Sequence, residues 1–181
     1  MQIIGKFMGG SVLVLLAIAT HAAGPQTGPV IEAYGPVFPV PEGSFNLAAG
    51  TQYKVAMDVS ATEDFAEDRN RHLESAARFL NMHARNGIDP DHIEFAIIVH
   101  GPAVKDLLKD KAYQGRFDEP NPNTALLMGL NKAGVKIYLC GQTAAFKGYG
   151  AEEFNPAVTM ALSAMTAHVR LQSEGYTLIP F

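Results

Sequence analysis

Three residues of this chain have side chains suited to covalent chemistry: Asp58, His100 and Cys140. Cys140 is the single cysteine in 181 residues. The thiolate, not the thiol, is the strong nucleophile, and an imidazole, a cation or the amides of a tight turn all favour it. His100 is the candidate imidazole and Lys147 the candidate cation. Gly141-Gln142-Thr143 is a short turn whose amides directly follow the sulfur. Each residue also has an ordinary structural reading. Cys140 fits a small buried hydrophobe, His100 a core histidine beside a tight turn, and Asp58 a turn or helix-capping residue. A cysteine–histidine–aspartate hydrolase uses the same residue types, but nothing in the loop after Cys140 identifies an acyl substrate.

These groups can meet only if the chain brings them to one edge. Each closes a run that reads as a β-strand: 53–59 before or at Asp58, 93–99 before His100, and 135–139 before Cys140. The middle run is almost continuously apolar, as in a strand covered on both faces. In open α/β sheets, ligands and reactive groups gather at the carboxyl ends of parallel strands.

Helical segments are expected between the strands. Ser60 and Glu63 have capping-box spacing. Leu73, Ala76, Ala77, Leu80 and Ala84 then form one apolar face, with Gly87 as the stop. Glu67, Asp68, Arg71, Glu74 and Arg78 read as the solvated opposite face. Pro102 suits the first turn of a helix through about 111, and residues 114–121 read as a loop. Asn121-Pro122 reads as the start of a helix through 133, closed by Gly134. Beyond Gly148, Asn155-Pro156 also permits one long helix to Gln172. The preferred reading is a strand over 157–161, a helix over 164–173 behind Ser163, Gly175 as stop, and a last strand over 176–179. This order predicts a mainly parallel sheet of about five strands with helices on both faces.

The remaining sequence narrows the class. Hydrophobic content of 48% and charged content of 18% describe a globular chain. A net charge of −4 without clustered Lys and Arg gives no support for a nucleic-acid surface. Lys6, the apolar run 12–19 and small residues at 22–24 have the order of a signal peptide cleaved after Ala22. The apolar run is well short of the roughly 20 residues that span a bilayer. A periplasmic protein is therefore expected, with no membrane association after cleavage and a net charge of −5 once Lys6 is lost. A lone exported thiol pairs with another chain, lies inert, or reacts. Residues 23–51 are rich in proline and glycine and read as an extended arm that packs on the domain or on a neighbouring subunit. His72, His83, His92, His100 and His168 lack paired ligand spacing, so no metal is expected. Asp58-Val59-Ser60 lacks the glycine pattern of a phosphate-binding turn.

The run from Val135 to Cys140, preceded by Asn121-Pro122-Asn123 and Gly134, resembles the DsrE/DsrF-like sulfur-relay family. So does the spacing from Cys140 through Ala144 to Lys147-Gly148. His100-Gly101-Pro102-Ala103-Val104 and Gly175-Tyr176 are similar to that family's exported, uncharacterised branch. The resemblance covers residues 52–181. It implies a flavodoxin-like three-layer α/β/α sandwich, assembled as homotrimers or homohexamers. It further implies that Cys140 carries sulfane sulfur as a persulfide, passing it from a donor to an acceptor thiol without a cofactor. Cys140, His100 and Lys147 would be the catalytic set, and Asp58, Gly141, Gln142 and Asn123 would line the ligand site. The alternative is a non-catalytic, oligomeric small-ligand-binding protein of the same fold.

Overall fold

The computed structural model describes residues 24–41 and 44–180. The expected signal peptide lies outside the described residues. Among the described residues no helix is long and apolar enough to cross a membrane.

Five strands form one sheet: β1 (Tyr53–Val59), β2 (Ile93–Val99), β3 (Lys136–Cys140), β4 (Val158–Ala161) and β5 (Thr177–Ile179). Every pairing is parallel, and the order across the sheet is β4-β3-β2-β1-β5. The five-stranded parallel sheet agrees with the sequence reading, while this strand order differs from flavodoxin's own 2-1-3-4-5 order.

Strand alternation sorts the core into two faces. Val55, Met57, Val59, Phe95, Ile97, Val99, Ile137 and Leu139 point to one face. There they meet Leu73, Ala76, Ala77 and Leu80 of α1 (Arg71–Arg85) and Leu126, Leu127 and Leu130 of α3 (Thr124–Lys132). Ala56, Ala96, Ile98 and Cys140 point to the other face, against Ala164, Ala167 and Leu171 of α5 (Ala164–Ser173). The chain steps from β1 to β4 in one direction and then returns to place β5 beside β1. Parallel crossovers are right-handed, so reversing direction puts the connecting helix on the opposite face. That is why α5 lies alone opposite α1 and α3.

Several element boundaries differ from those expected. The first helix starts at Arg71 and not at Ser60, because the effective cap is Asn70. Asn70 is fully buried, and its Oδ1 accepts from His72 N (2.8 Å) and Leu73 N (3.2 Å). Its Nδ2 donates to Ala61 O (2.9 Å) and to Asp106 Oδ2 (2.7 Å). Those contacts hold 60–70 as a folded loop. Residues 101–107 form a 3₁₀ helix, and the helix α2 then covers Asp110–Phe117, part of which reads as loop in the sequence. The segment after Cys140 is a six-residue helix, α4 (Gly141–Phe146).

The arm packs on its own domain, along α1. Buried Asn81 accepts from Val30 N (3.1 Å) and Ile31 N (2.9 Å), and donates to the carbonyls of Ile31, Tyr34 and Gly35. Arg85 donates to Gly28 O at 2.7 Å. Gly35 has φ +68°, and a Cβ there would lie 2.3 Å from Arg78 N. The face of α1 expected to be solvated is thus partly covered. Glu74 is buried beneath the arm and accepts from Gly35 N–H at 3.1 Å.

Candidate functional site

The site grows out of strand parity. Asp58 on β1 and Cys140 on β3 occupy even positions, as does His100, which continues β2 in extended conformation. All three therefore face the α5 side. His100 N–H donates to Val59 O at 3.0 Å, which extends the pairing of β2 with β1 up to the site. The connections change face between β3, which leads into α4 on the α1 side, and β4, which leads into α5 on the other, and open α/β sheets leave a crevice at such a point. A cavity of about 520 Å³ lies there, lined by Asp58, His100, Cys140, Gln142, Ser163 and His168 with an apolar wall. Leu178 of β5 and Pro180 close one side, and Ala164 and Met165 of α5 another.

Cys140 ends β3 and is the N-cap of α4. The residue is only 6% exposed but lines the cavity. Burial is the largest influence on its thiol and pushes the pKa up. Hydrogen bonds from the Thr143 hydroxyl and from the backbone amides of Thr143, Ala164 and Gln142 together outweigh it, leaving the thiol below its ordinary value. Thr143 Oγ1 in turn accepts from Gly101 N–H at 3.4 Å, which leaves its own hydrogen free for the sulfur. The starts of two helices thus lie beside the thiol, α4 at residues 142–143 and α5 at Ala164.

Gly141 permits this convergence. A Cβ there would lie 2.7 Å from Ala161 O and 3.3 Å from Leu162 O. Only glycine lets the turn after β3 approach the turn after β4 closely enough for both to reach the sulfur. Its role is close packing, not direct contact with the cavity. Gln142 does line the cavity, and its Nε2 donates to Leu162 O at 3.4 Å.

The histidine and carboxylate form a separate unit. His100 Nε2 lies 3.0 Å from Asp58 Oδ2, and His168 Nε2 lies 2.6 Å from Asp58 Oδ1. The carboxylate is shared between two imidazoles, and the Nε2 of each ring is occupied by it. Among the described residues, no three His, Cys, Asp or Glu side chains are placed to hold a metal ion.

The structure brings Asp58, His100, Cys140 and Gln142 together. It does not bring Lys147 or Asn123 to them. Lys147 is the exposed C-cap of α4 and lines a neighbouring depression with Gly101, Pro102, Thr143 and Phe146. The same short helix that puts its N-terminus on the sulfur carries its last residue away. Asn123 is fully buried, with Oδ1 accepting from Asn70 N–H at 2.8 Å and Nδ2 donating to Asn121 at 3.1 Å. It fixes the start of α1 against α3. Thr143, Ser163, Ala164 and His168 are site residues that the sequence reading did not single out. Ser163 had a signal as a helix cap, and its Oγ accepts from Thr166 N–H at 3.0 Å. For His168, no local pattern signals a role, because its partner lies 110 positions away.

Comparison with known proteins bears on the fold and the family. The chain resembles the MTH1491 protein of Methanobacterium thermoautotrophicum, a protein described as of unknown function. The two share 20% identity with a TM-score of 0.55, over 72% of this chain and all of that one. The ychN protein of E. coli has the same coverage, with 14% identity and a TM-score of 0.50. At these identities the likeness bears on the fold alone. No curated protein sequence matches. The model of the DsrE/DsrF-like family matches residues 54–181, which takes in all five strands except the first residue of β1, and all of the cavity. This chain belongs to the DsrE/DsrF-like family.

Proposed function

We propose that this protein carries sulfane sulfur as a persulfide on Cys140, taking it from a donor and passing it to an acceptor thiol. The observation that carries this reading is a thiol at the end of β3 that lines an open cavity and is held below its ordinary pKa. Burial is opposed there by the Thr143 hydroxyl and the neighbouring amides of Thr143, Ala164 and Gln142. The same donors suit a thiolate before loading and the outgoing thiolate after release. Among the described residues there is no second cysteine, so the acceptor is an external thiol. Family membership supports the reading at the level of the fold.

The compartment and assembly are part of the proposal. The charge, apolar run and small-residue exit of residues 1–24 support export to the periplasm. Assembly as a homotrimer or homohexamer is supported by the apolar side chains left exposed on α5 and in the turn before it, Leu162, Met165 and Val169. Loading the purified protein with a persulfide donor and weighing it intact tests the central claim. Wild type should gain one sulfur atom that Cys140→Ala does not. Equal gain in both, or none in wild type, refutes it.

A second reading, a non-catalytic small-ligand-binding protein, is favoured by the apolar wall of Leu178, Pro180 and Met165. It differs in one outcome: Cys140→Ala would then bind the ligand as well as wild type does.

A further inference from the structure

We infer that the sulfur donor for Cys140 is a small organic persulfide with an apolar, uncharged R group, reacting in its protonated form R–S–SH, and not a donor with an anionic body such as thiosulfate. This rests on the persulfide reading of Cys140 and adds the chemical class of its reaction partner.

The charge of the cavity carries the first part. Among the described residues no Lys or Arg lines it, and Asp58 contributes a carboxylate. Binding of an anion in such a site relies on charge-assisted donors, most often a guanidinium, an ammonium or free amides at a helix N-terminus. Several of the amides at the start of α5 are already engaged. Thr166 N–H is held by Ser163 Oγ at 3.0 Å, and Ala167 N–H by Ser163 O at 3.1 Å. The Nε2 atoms of His100 and His168 are engaged by Asp58. An anionic donor would therefore meet the Asp58 carboxylate with no Lys or Arg side chain in the lining to offset it.

The wall carries the second part. Ala164, Met165, Leu178 and Pro180 flank the cavity that Cys140 opens into, and Met165 and Leu178 retain substantial exposed apolar surface. A substituent seated against them removes that surface from water, at a gain of up to about fourfold in affinity per methylene group buried.

The transfer is balanced without another reactant. The Cys140 thiolate attacks the outer sulfur of R–S–SH, a new S–S bond forms on Cys140, and the S–S bond of the donor breaks. Its electron pair leaves with R–S⁻, and the proton stays on the transferred sulfur: Cys140–S⁻ and R–S–SH become Cys140–S–SH and R–S⁻. One S–S bond replaces another, so no outside oxidant or reductant takes part.

The experiment follows one-sulfur mass gain on the full-length protein with ethyl, butyl and hexyl hydropersulfide, glutathione persulfide and thiosulfate. Each rate is divided by that of the same donor with free cysteine. Along the alkyl series the ratio should rise about two- to fourfold per methylene until the wall is covered. The two anionic donors should fall at least about tenfold below the butyl compound. Leu178→Arg should lower the butyl ratio and raise both anionic ones, since it replaces apolar wall by a cation. A flat alkyl series, anionic donors equal to or faster than butyl, or a Leu178→Arg variant with unchanged preference overturns the donor class alone. Absence of sulfur gain from every donor, with the thiol still open to alkylation, overturns the carrier reading and the donor class together.

Discussion

His168 Nε2 and Asp58 Oδ1 are 2.6 Å apart and join the last helix to the first strand across 110 positions of sequence. This contact places a helix crossing the sheet from one edge to the other directly over the site. Asp58 also holds His100, so a single carboxylate ties the ends of β1 and β2 to α5. Ala164, at the start of the same helix, lines the cavity beside Cys140 and helps to lower the pKa of its thiol. The position of α5 therefore governs both halves of the site.

Asp58→Ala should lower stability by roughly 1–3 kcal/mol, because it leaves two partly buried imidazoles without their acceptor. Urea unfolding measures this. A double-mutant cycle with His168→Ala should be clearly non-additive, since both changes remove the same contact. Additive losses would mean that the contact contributes nothing to folding.

Thr143→Val should raise the pKa of Cys140, because it removes the hydroxyl that donates to the sulfur while keeping the shape of the side chain. The pH–rate profile for alkylation should move to higher pH, and the rate at neutral pH should fall about three- to tenfold. The stability consequence has a definite sign. The folded pKa lies below the ordinary 9.0, so the thiolate contribution is full above that value and is lost as pH falls through the folded pKa. Wild type should thus gain stability over Cys140→Ala as pH rises through this window, and Thr143→Val should gain less.

Gly141→Ala should slow alkylation of Cys140 while leaving most of the fold intact. The added Cβ meets Ala161 O at 2.7 Å and must push the two turns apart. Separation of the turns withdraws Ala164 N–H from the sulfur, a loss of severalfold, about three- to tenfold, in rate at neutral pH. An unchanged rate with the full stability of wild type would contradict the packing argument.

Asn81→Ala should destabilise the protein by about 2–4 kcal/mol, since Asn81 satisfies two amides and three carbonyls of the arm in a buried setting. Limited proteolysis should cut the released arm first. Alkylation of Cys140 should not change, because the arm lies along α1 on the opposite face of the sheet. A change in thiol reactivity would show that the two faces are coupled.

The legible parts of this protein are those set by local pattern. The apolar runs at 53–59 and 93–99 form strands with those bounds, because β-branched and apolar residues bounded by turn residues leave little choice. The helix over Ala164–Ser173 was legible from Ser163, whose hydroxyl caps it. Ser60 carried the same kind of signal and misled, because Asn70 reaches Asp106 and Asn123 as well as the first amides of α1. Glu74 was misread for the same reason: its partner is the amide of Gly35, far away in sequence. Asn123, assigned to the ligand site by the family resemblance, is buried between helices in space.

The sequence by itself determined that Asp58, His100 and Cys140 end strands of one parallel sheet, since strand periodicity and chain connectivity are local properties. Only the tertiary structure decided how these residues divide the work. The imidazoles of His100 and His168 go to Asp58, while the thiol is served by Thr143 and by amides from two helix starts. Lys147 is carried away on the far end of α4. The physical reason is the strand order. Placing β5 beside β1 forces α5 back across the sheet, and that crossing brings Ala164 and His168 to residues they follow by 24 to 110 positions. No periodicity along the chain encodes such a meeting. The lone cysteine was legible as a candidate, and its environment was written in the fold.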